Sequence, residues 1–131
     1  MADAAWVVPP AAYAASRPAA HAVAPPASAY VAMRDGVRIA VDVYLPEGAG
    51  QVPAILILTP YYRRFALAPD ARAGTEAAPG AAKFRDFFVP RGYALVVVDV
   101  RGTGASFGTR DSFRSPRERD DHGEVAEWIT R

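Results

Sequence analysis

The sequence contains no cysteine, one lysine and only two histidines. The absence of cysteine excludes disulfides, thiolate zinc sites and cysteine nucleophiles. Since only His21 and His122 offer an imidazole, a histidine-based metal site would need carboxylates to complete it. We therefore expect neither a metal nor a cofactor.

The chain also lacks an excess of charge of one sign, because 15 basic residues stand against 14 acidic ones and give a formal net charge of +1. Basic residues do not cluster, so the sequence shows no nucleic-acid or anionic-membrane footprint. The apolar runs at residues 54–58 and 94–98 fall far short of the ~20 residues that a bilayer span requires. The first basic residue is Arg17, which does not match a secretory signal, and a cytoplasmic location is the default expectation.

The 131 residues, 51% of them hydrophobic and 22% charged, fit one globular domain or part of one. Residues 1–28 are rich in alanine and proline, and the prolines interrupt any continuous helix, so we predict an extended or mobile arm. The alternative is a clamp in which the apolar residues of this arm dock onto the body. These residues are Trp6, Val7, Val8 and Tyr13.

Alternation and apolar runs predict an α/β fold for residues 29–131. The pair Asp35-Gly36 is typical of a tight hairpin turn, and residues 37–45 alternate as a half-buried antiparallel strand does. Residues 54–58 and 93–100 are apolar without alternation, which indicates strands of a parallel sheet covered on both faces. Residues 81–89 between them have helical spacing and predict the crossover helix of a βαβ unit.

Residues 104–108 spell G-x-S-x-G, the nucleophile elbow that presents a serine in many hydrolases. The setting argues against that role for Ser106, because an elbow needs a strand directly before the first glycine and a helix directly after the motif. Residues 101–103 intervene instead, and His122 is the only later imidazole. The sequence favours a local hydrogen-bonding role for Ser106, with the nucleophile as an open alternative. A dinucleotide fingerprint fails too, since Phe107 replaces its third glycine.

Thr59-Pro60-Tyr61-Tyr62-Arg63-Arg64 follows the first apolar strand, at the carboxyl end where open α/β sheets bind ligands. A phenol held there could donate a hydrogen bond to a developing oxyanion. The alternative is that both tyrosines cover the sheet edge and both arginines are solvated.

Several segments together resemble the X-prolyl dipeptidyl peptidase and cocaine esterase (CocE/NonD) family of α/β-hydrolases, in order and spacing. They are residues 33–46, Thr59-Pro60-Tyr61, residues 91–94, residues 99–106 and Glu127-Trp128-Ile129. The resemblance covers residues 29–131. It implies the amino-terminal portion of an α/β-hydrolase fold, an antiparallel hairpin leading into a parallel βαβ sheet, truncated before the nucleophile elbow.

The resemblance further implies a serine hydrolase that cleaves acyl ester, amide or X-Pro peptide bonds through an acyl-enzyme. Tyr61 is similar to the family's tyrosine whose hydroxyl forms half of the oxyanion hole. The Ser, Asp and His of the triad would lie beyond residue 131, so this chain alone is expected to be inactive. The implied partner is a small-molecule ester, amide or peptide substrate, and the oligomeric state is left open. The alternative is a non-catalytic remnant or an interaction module of hydrolase ancestry.

The family's sheet order places residues 54–58 between the strand at residues 93–100 and the missing nucleophile strand. One long edge of the strand at residues 54–58 is then expected to have no strand neighbour in this chain.

Overall fold

The computed structural model describes residues 7–131, so Trp6 of the clamp alternative lies outside the described residues. The helices and strands are, in chain order, α1 (Pro10–Ser16), β1 (Ala27–Ala32), β2 (Arg38–Tyr44), β3 (Ala54–Thr59), α2 (Ala82–Phe88), β4 (Ala94–Asp99) and α3 (Pro116–Ile129). A short 3-10 turn, Val89–Arg91, continues α2.

The strands form one four-stranded sheet in the order β1-β2-β4-β3. β1 pairs with β2, and β2 with β4, in antiparallel register, whereas β3 and β4 are parallel with Thr59 opposite Asp99. The predicted α/β class is therefore confirmed, with β3, α2 and β4 forming the crossover unit. The carboxyl ends of β3 and β4 lie at the same edge of the sheet, and the loops that follow them meet there.

The hairpin between β1 and β2 turns at the predicted pair. Gly36 has φ 80°, a left-handed conformation that glycine adopts without a steric penalty. The Asp35 carboxylate accepts a hydrogen bond from Val37 N at 3.2 Å, an Asx-type contact that supports the turn. The Met33 N–H donates to Val37 O at 2.8 Å and closes the hairpin.

α3 begins directly after Ser115, and the spacing of Ser115 and Glu118 in the sequence is that of a capping box, in which each side chain would bind the main-chain N–H of the other residue. Ser115 Oγ accepts a hydrogen bond from Glu118 N at 3.2 Å, and Pro116 occupies the first helical position, where no N–H is needed. The Glu118 carboxylate does not complete the reciprocal box on Ser115 N. It accepts instead from Arg114 N at 2.8 Å and from Arg110 Nε at 2.7 Å, which fixes the preceding loop.

Two apolar clusters cover the two faces of the sheet. On one face, Val125 of α3 is fully buried against β2 and β4; on the other, Val89 packs beside α2 against Leu95 and Val97 of β4. All six residues of β4 are buried, as the apolar run predicts. In contrast, residues 55–59 of β3 are only half-buried, and the prediction of full cover is wrong for this strand because β4 is its sole strand neighbour in the described chain.

The half-buried prediction for residues 37–45 is also wrong. Ala40, Asp42 and Tyr44 occupy the face that the alternation assigns to solvent, and all three are buried. Tyr44 belongs to the cluster beside α2, while Asp42 is covered by the loop that follows β3. Both faces of β2 are thus inside the molecule.

Residues 10–16 of the predicted extended arm form a helix, so that prediction is wrong there. Pro10 starts α1, a position that tolerates proline because its missing N–H has no helical partner. The Tyr13 hydroxyl is hydrogen-bonded to the Tyr93 hydroxyl, to which Arg17 Nη1 also donates at 2.8 Å. Val7 and Val8 of the clamp alternative are exposed. Tyr13 and Arg17 are thus one contact of the arm with the body, and a second consists of main-chain hydrogen bonds that join residues 20–24 to Pro90 and to the turn after β2.

Within residues 7–131, every helix is too short or too polar to cross a lipid bilayer.

The free side of β3 generates the first prediction. Its backbone polar groups face outward on that side and its apolar side chains are only half-buried, a combination that favours edge-to-edge association. Expressed alone, the chain is expected to be poorly soluble and to self-associate as concentration rises, as measured by sedimentation velocity over a dilution series. A monodisperse monomer that melts cooperatively would contradict this expectation.

Candidate active site

The loop after β3 presents Tyr61 at the carboxyl edge of the sheet. Tyr61 N donates to Thr59 Oγ1 at 3.0 Å, and the next residue, Tyr62, has φ 73°. A left-handed conformation costs a residue with a side chain about 1–3 kcal/mol and persists only where its surroundings enforce it. The turn leaves the Tyr61 side chain exposed, with 79% of the residue accessible to solvent.

A cavity of about 300 Å³ lies beside this loop. Its apolar wall comes from the sheet and from the start of α2, and Tyr61 stands in its lining. The other residues include Ile57, Tyr62, Ala81 and Val97. A concave, mostly apolar pocket with a few exposed hydroxyl donors, here those of Tyr61 and Tyr62, is a common form of ligand site.

Arg63 ties this loop to the sheet through two buried carboxylates. Its main-chain N–H donates to Asp99 Oδ1 at 2.6 Å, its Nη1 to Asp99 Oδ2 at 2.7 Å, and its Nε to Asp42 Oδ1 at 3.0 Å. The Asp42 and Asp99 side chains are 0% and 1% exposed. The Arg63 side chain is only 14% exposed, so the alternative of two solvated arginines is wrong for Arg63.

Arg64 approaches the same carboxylate from a more exposed position. Its Nε lies 2.8 Å from Asp42 Oδ2, and its Nη2 donates to Ser28 Oγ at 2.7 Å. Ser28 Oγ in turn donates to Asp42 Oδ1 at 2.6 Å. Two guanidinium groups therefore balance the two buried carboxylates. Burial by itself would lower the pKa of Arg63, but its contacts with Asp99 and Asp42 raise that pKa above its ordinary value.

The loop after β4 is fixed by the same aspartate. Asp99 Oδ2 accepts from Ala105 N at 3.0 Å, and the Asp99 carboxylate occupies the space where Gly104 would carry a side chain. A Cβ built on Gly104 would lie 2.4 Å from Asp99 Oδ2, and Gly104 has φ 53°. Glycine is therefore required here on two separate grounds.

The G-x-S-x-G stretch does not form a nucleophile elbow. Ser106 Oγ donates to Asp99 O at 2.6 Å and accepts from Ala40 N at 2.8 Å, so both its donor and acceptor functions serve the main chain. The next helix begins only at Pro116, and His122 is not among the hydrogen-bond partners of Ser106 in residues 7–131. These contacts agree with the local structural role that the sequence favours for Ser106.

A second ion-pair cluster lies near the start of α3. Arg101 contacts both oxygens of Asp121 at 2.7 Å and donates to Asp35 Oδ2 at 2.7 Å. Its guanidinium holds the pKa of Asp35 at about 2, below the ordinary 3.8. Because Asp121 is committed to Arg101, it does not orient the neighbouring His122, whose Nε2 has no hydrogen-bond partner among the described residues and whose pKa is lowered by burial.

In the described part of the chain, no group of three or more carboxylate and imidazole side chains is placed to hold a metal ion.

The sequence model of a known family, described as X-Pro dipeptidyl-peptidase (S15 family), matches residues 35–131. The chain belongs to this family. A Mycobacterium bovis protein named as a serine esterase is 47% identical over 112 residues, which cover 79% of this chain and 18% of the relative. The cocaine esterase of a Rhodococcus species is 41% identical over 80 residues, which cover 60% of this chain and 12% of the relative. The chain thus spans about a fifth or less of the curated relatives that it matches.

The architecture also agrees with solved structures. An α-amino acid ester hydrolase superimposes with a TM-score of 0.59 at 28% sequence identity, over 84% of this chain and 19% of that protein. The fold of this S15-family chain is that of part of an α/β-hydrolase, as its sequence resemblance implies.

The contact between Gly104 and Asp99 gives the second prediction. The substitution Gly104→Ala is expected to lower the free energy of unfolding by about 1–3 kcal/mol, because the new methyl group collides with the buried carboxylate. Gly123 in α3 is the matched control, since a Cβ there meets nothing within 4 Å, and Gly123→Ala is expected to stabilise the helix by up to about 1 kcal/mol. Urea unfolding measures both; equal effects of the two substitutions would refute the clash.

The third prediction concerns the pH dependence of stability. The folded-state pKa of Asp35 is about 2, so its contact with Arg101 stabilises the fold fully above pH 4 and loses this effect as pH falls towards 2. Asp35→Asn is expected to be less stable than the wild type at pH 7, with a difference that shrinks between pH 4 and pH 2. Asp70→Asn, at an exposed position, is the control for the general effect of replacing an aspartate by asparagine. Urea midpoints at several pH values would expose a flat Asp35 profile, which would contradict the assignment.

Proposed function

We propose that this chain supplies the oxyanion-stabilising side of a serine hydrolase that cleaves acyl ester, amide or X-Pro peptide bonds through an acyl-enzyme. The observation that carries the proposal is the exposed Tyr61 side chain, held beside a cavity at the carboxyl edge of the sheet. This edge is where open α/β sheets bind their ligands.

The relatives support the choice of reaction class. Two are named as esterases, of Mycobacterium bovis and of a Rhodococcus species, and the family itself is named for cleavage at X-Pro. All of these reactions pass through a tetrahedral intermediate at a carbonyl carbon. A hydroxyl donor that binds the carbonyl oxygen serves each of them equally, so Tyr61 fits the whole range of bonds.

In the proposed mechanism, a serine hydroxyl from another part of a longer polypeptide attacks the carbonyl carbon of the substrate, while a base from outside this chain accepts the hydroxyl proton and then serves as the general acid. The carbonyl π electrons move to the oxygen, and the Tyr61 hydroxyl donates a hydrogen bond to the resulting oxyanion. Collapse of the intermediate expels the alcohol or amine, protonated by the general acid, and leaves the acyl group on serine. A water molecule then attacks the ester carbonyl carbon and gives its proton to the base, and Tyr61 donates to the second oxyanion that forms. Collapse of this intermediate breaks the bond to the serine oxygen, which regains a proton from the base, and releases the carboxylic acid.

The main chain that carries Tyr61 is held in place by its neighbours. Thr59 Oγ1 holds the Tyr61 main chain, Arg63 is paired with buried carboxylates, and the tyrosine side chain itself is exposed. A donor placed before the charge develops avoids the reorganisation that water would need. The free side of β3 leaves room for a further strand, and the end of such a parallel strand would lie at the same edge as Tyr61.

By this proposal the 131-residue chain alone is inactive, because the nucleophile, the base and its orienting acid come from outside it. The alternative, a non-catalytic remnant or interaction module, predicts no hydrolysis even when the encoding gene is read as far as it extends.

The fourth prediction tests Tyr61 in the longest polypeptide that the gene encodes. Tyr61→Phe is expected to lower kcat for a p-nitrophenyl acyl ester by about 100- to 1000-fold, the usual effect of removing one oxyanion donor. The thermal melting curve should stay unchanged, since the side chain is exposed. Tyr93→Phe is the matched control, because Tyr93 lies directly before β4, at the opposite edge of the sheet. Its turnover is expected to match the wild type.

Equal turnover of Tyr61→Phe and the wild type would remove Tyr61 from the mechanism. Absence of hydrolysis in the wild-type polypeptide, with a broad panel of esters and X-Pro peptides, would favour the remnant.

A further inference from the structure

We propose that Arg63 is a positioning residue that holds the Tyr61 hydroxyl in place by anchoring the far end of its turn to Asp99 and Asp42. This inference rests on the proposed function and assigns a second residue to the same site. It follows from the contacts of the turn, because both of its ends are held by the carboxyl end of β4, where Asp99 lies.

The turn that carries Tyr61 spans residues 60–62 and is held on either side by β4. Before the turn, Thr59 pairs with Asp99 in the parallel register, and Thr59 O accepts from Val100 N at 3.1 Å. After the turn, the Arg63 N–H and Nη1 contact the two oxygens of the Asp99 side chain at 2.6 and 2.7 Å. Only three residues lie between the two anchors, so the position of the second anchor determines where Tyr61 points.

The backbone of Tyr62 is strained directly before the second anchor. Tyr62 has φ 73°, a conformation that a tyrosine adopts only when its neighbours enforce it. The Tyr62 ring packs at a tilt of 50° against Phe65, with centroids 5.5 Å apart, so its contact partner follows Arg63 in the chain. If the Arg63 anchor loosens, Tyr62 can return to an ordinary φ, and the exposed Tyr61 side chain moves with it.

The shape of the arginine side chain is essential to this anchor. Its Nε and Nη1 reach Asp42 Oδ1 and Asp99 Oδ2 simultaneously, on carboxylates from two different strands. Lysine carries the same charge on a single nitrogen and cannot reproduce this fork. Arg63→Lys therefore keeps the charge balance of the buried pair of carboxylates while it weakens the geometry. Removing the charge altogether would leave both carboxylates buried with less compensation and would endanger the fold.

Arg64 provides a matched control. It also contacts Asp42, at 2.8 Å, but its hydrogen-bonding partner beyond that is Ser28 of β1 and not Asp99. Arg64→Lys thus perturbs the same carboxylate without touching the anchor that closes the turn.

The fifth prediction is a double-mutant cycle in the longest polypeptide that the gene encodes, with a p-nitrophenyl acyl ester as substrate. Arg63→Lys is expected to lower kcat by about 10- to 100-fold, the size of effect that a small misplacement of a catalytic group produces, with KM changed by less than about twofold. Arg64→Lys is expected to retain wild-type kcat. In the Tyr61→Phe background, Arg63→Lys is expected to have no further effect, because the group that it positions is already gone.

Two results would overturn the positioning role: wild-type kcat in Arg63→Lys, or the same fractional loss with and without the Tyr61 hydroxyl. A fully active Tyr61→Phe enzyme would instead refute the proposed function itself, so the two failures are distinguishable. If Arg63→Lys fails to fold by circular dichroism, Asp42→Asn gives the second test, since it weakens the Arg63 Nε contact and leaves both Arg63 contacts with Asp99 in place. It also weakens the contacts of Asp42 with Ser28 and Arg64, for which Arg64→Lys is the control. The kcat loss of Asp42→Asn is expected to vanish in the Tyr61→Phe background, and a loss that persists there would overturn the inference.

Discussion

The carboxyl edge of this sheet depends on the buried carboxylate of Asp99. A buried carboxylate is stable only when its oxygens are hydrogen-bonded and its charge is paired, and Asp99 meets both conditions with groups from two loops. Arg63 supplies a guanidinium and a main-chain N–H from the loop after β3, and Ala105 supplies an N–H from the loop after β4. Because the buried Asp99 carboxylate requires these partners, it fixes both loops relative to the strands.

Two residues after Asp99, a second buried charged side chain, that of Arg101, also joins distant parts of the chain through ion pairs. Arg101 is buried and binds Asp121 of α3 and Asp35 of the hairpin turn, so it joins three elements that are distant in sequence. Asp99 thus organises the side of the edge that carries Tyr61, and Arg101 organises the side that carries α3. The carboxylates of both clusters are bound to arginines, and within residues 7–131 none of them pairs with an imidazole beside a serine. Ser106 and His122 therefore lie close in sequence to several acids without forming a catalytic arrangement with them.

Local signals in the sequence predict much of the fold because they act over a few residues. The Asp35-Gly36 turn, the apolar run of β4 and the Ser115 cap each depend on neighbours within four positions. The ion pairs of Arg63 join residues 21 and 36 positions apart, and no periodicity records such a pair. One signal was available: Asp42 is an acid between two valines in the apolar part of β2, where burial demands a partner. For α1, the alanine and proline content concealed a helix that starts at its own proline. The proposed role of Tyr61 came from family resemblance and not from spacing.

Some polar side chains at this edge of the sheet already have hydrogen-bond partners within the described part of the chain, and others do not, which indicates where a substrate could bind. Ser106 uses its hydroxyl on two main-chain groups, and Asp99, Arg63 and Arg101 are paired. By contrast, the exposed Tyr61, the left-handed Tyr62 and the free side of β3 all occur on one strand and the loop that follows it. A strained backbone and an open sheet edge are costly, and folded chains retain them where function or a further structural element requires them. The G-x-S-x-G stretch at residues 104–108 therefore has a structural role. The proposed site lies instead on the loop that follows β3, the strand with a free side.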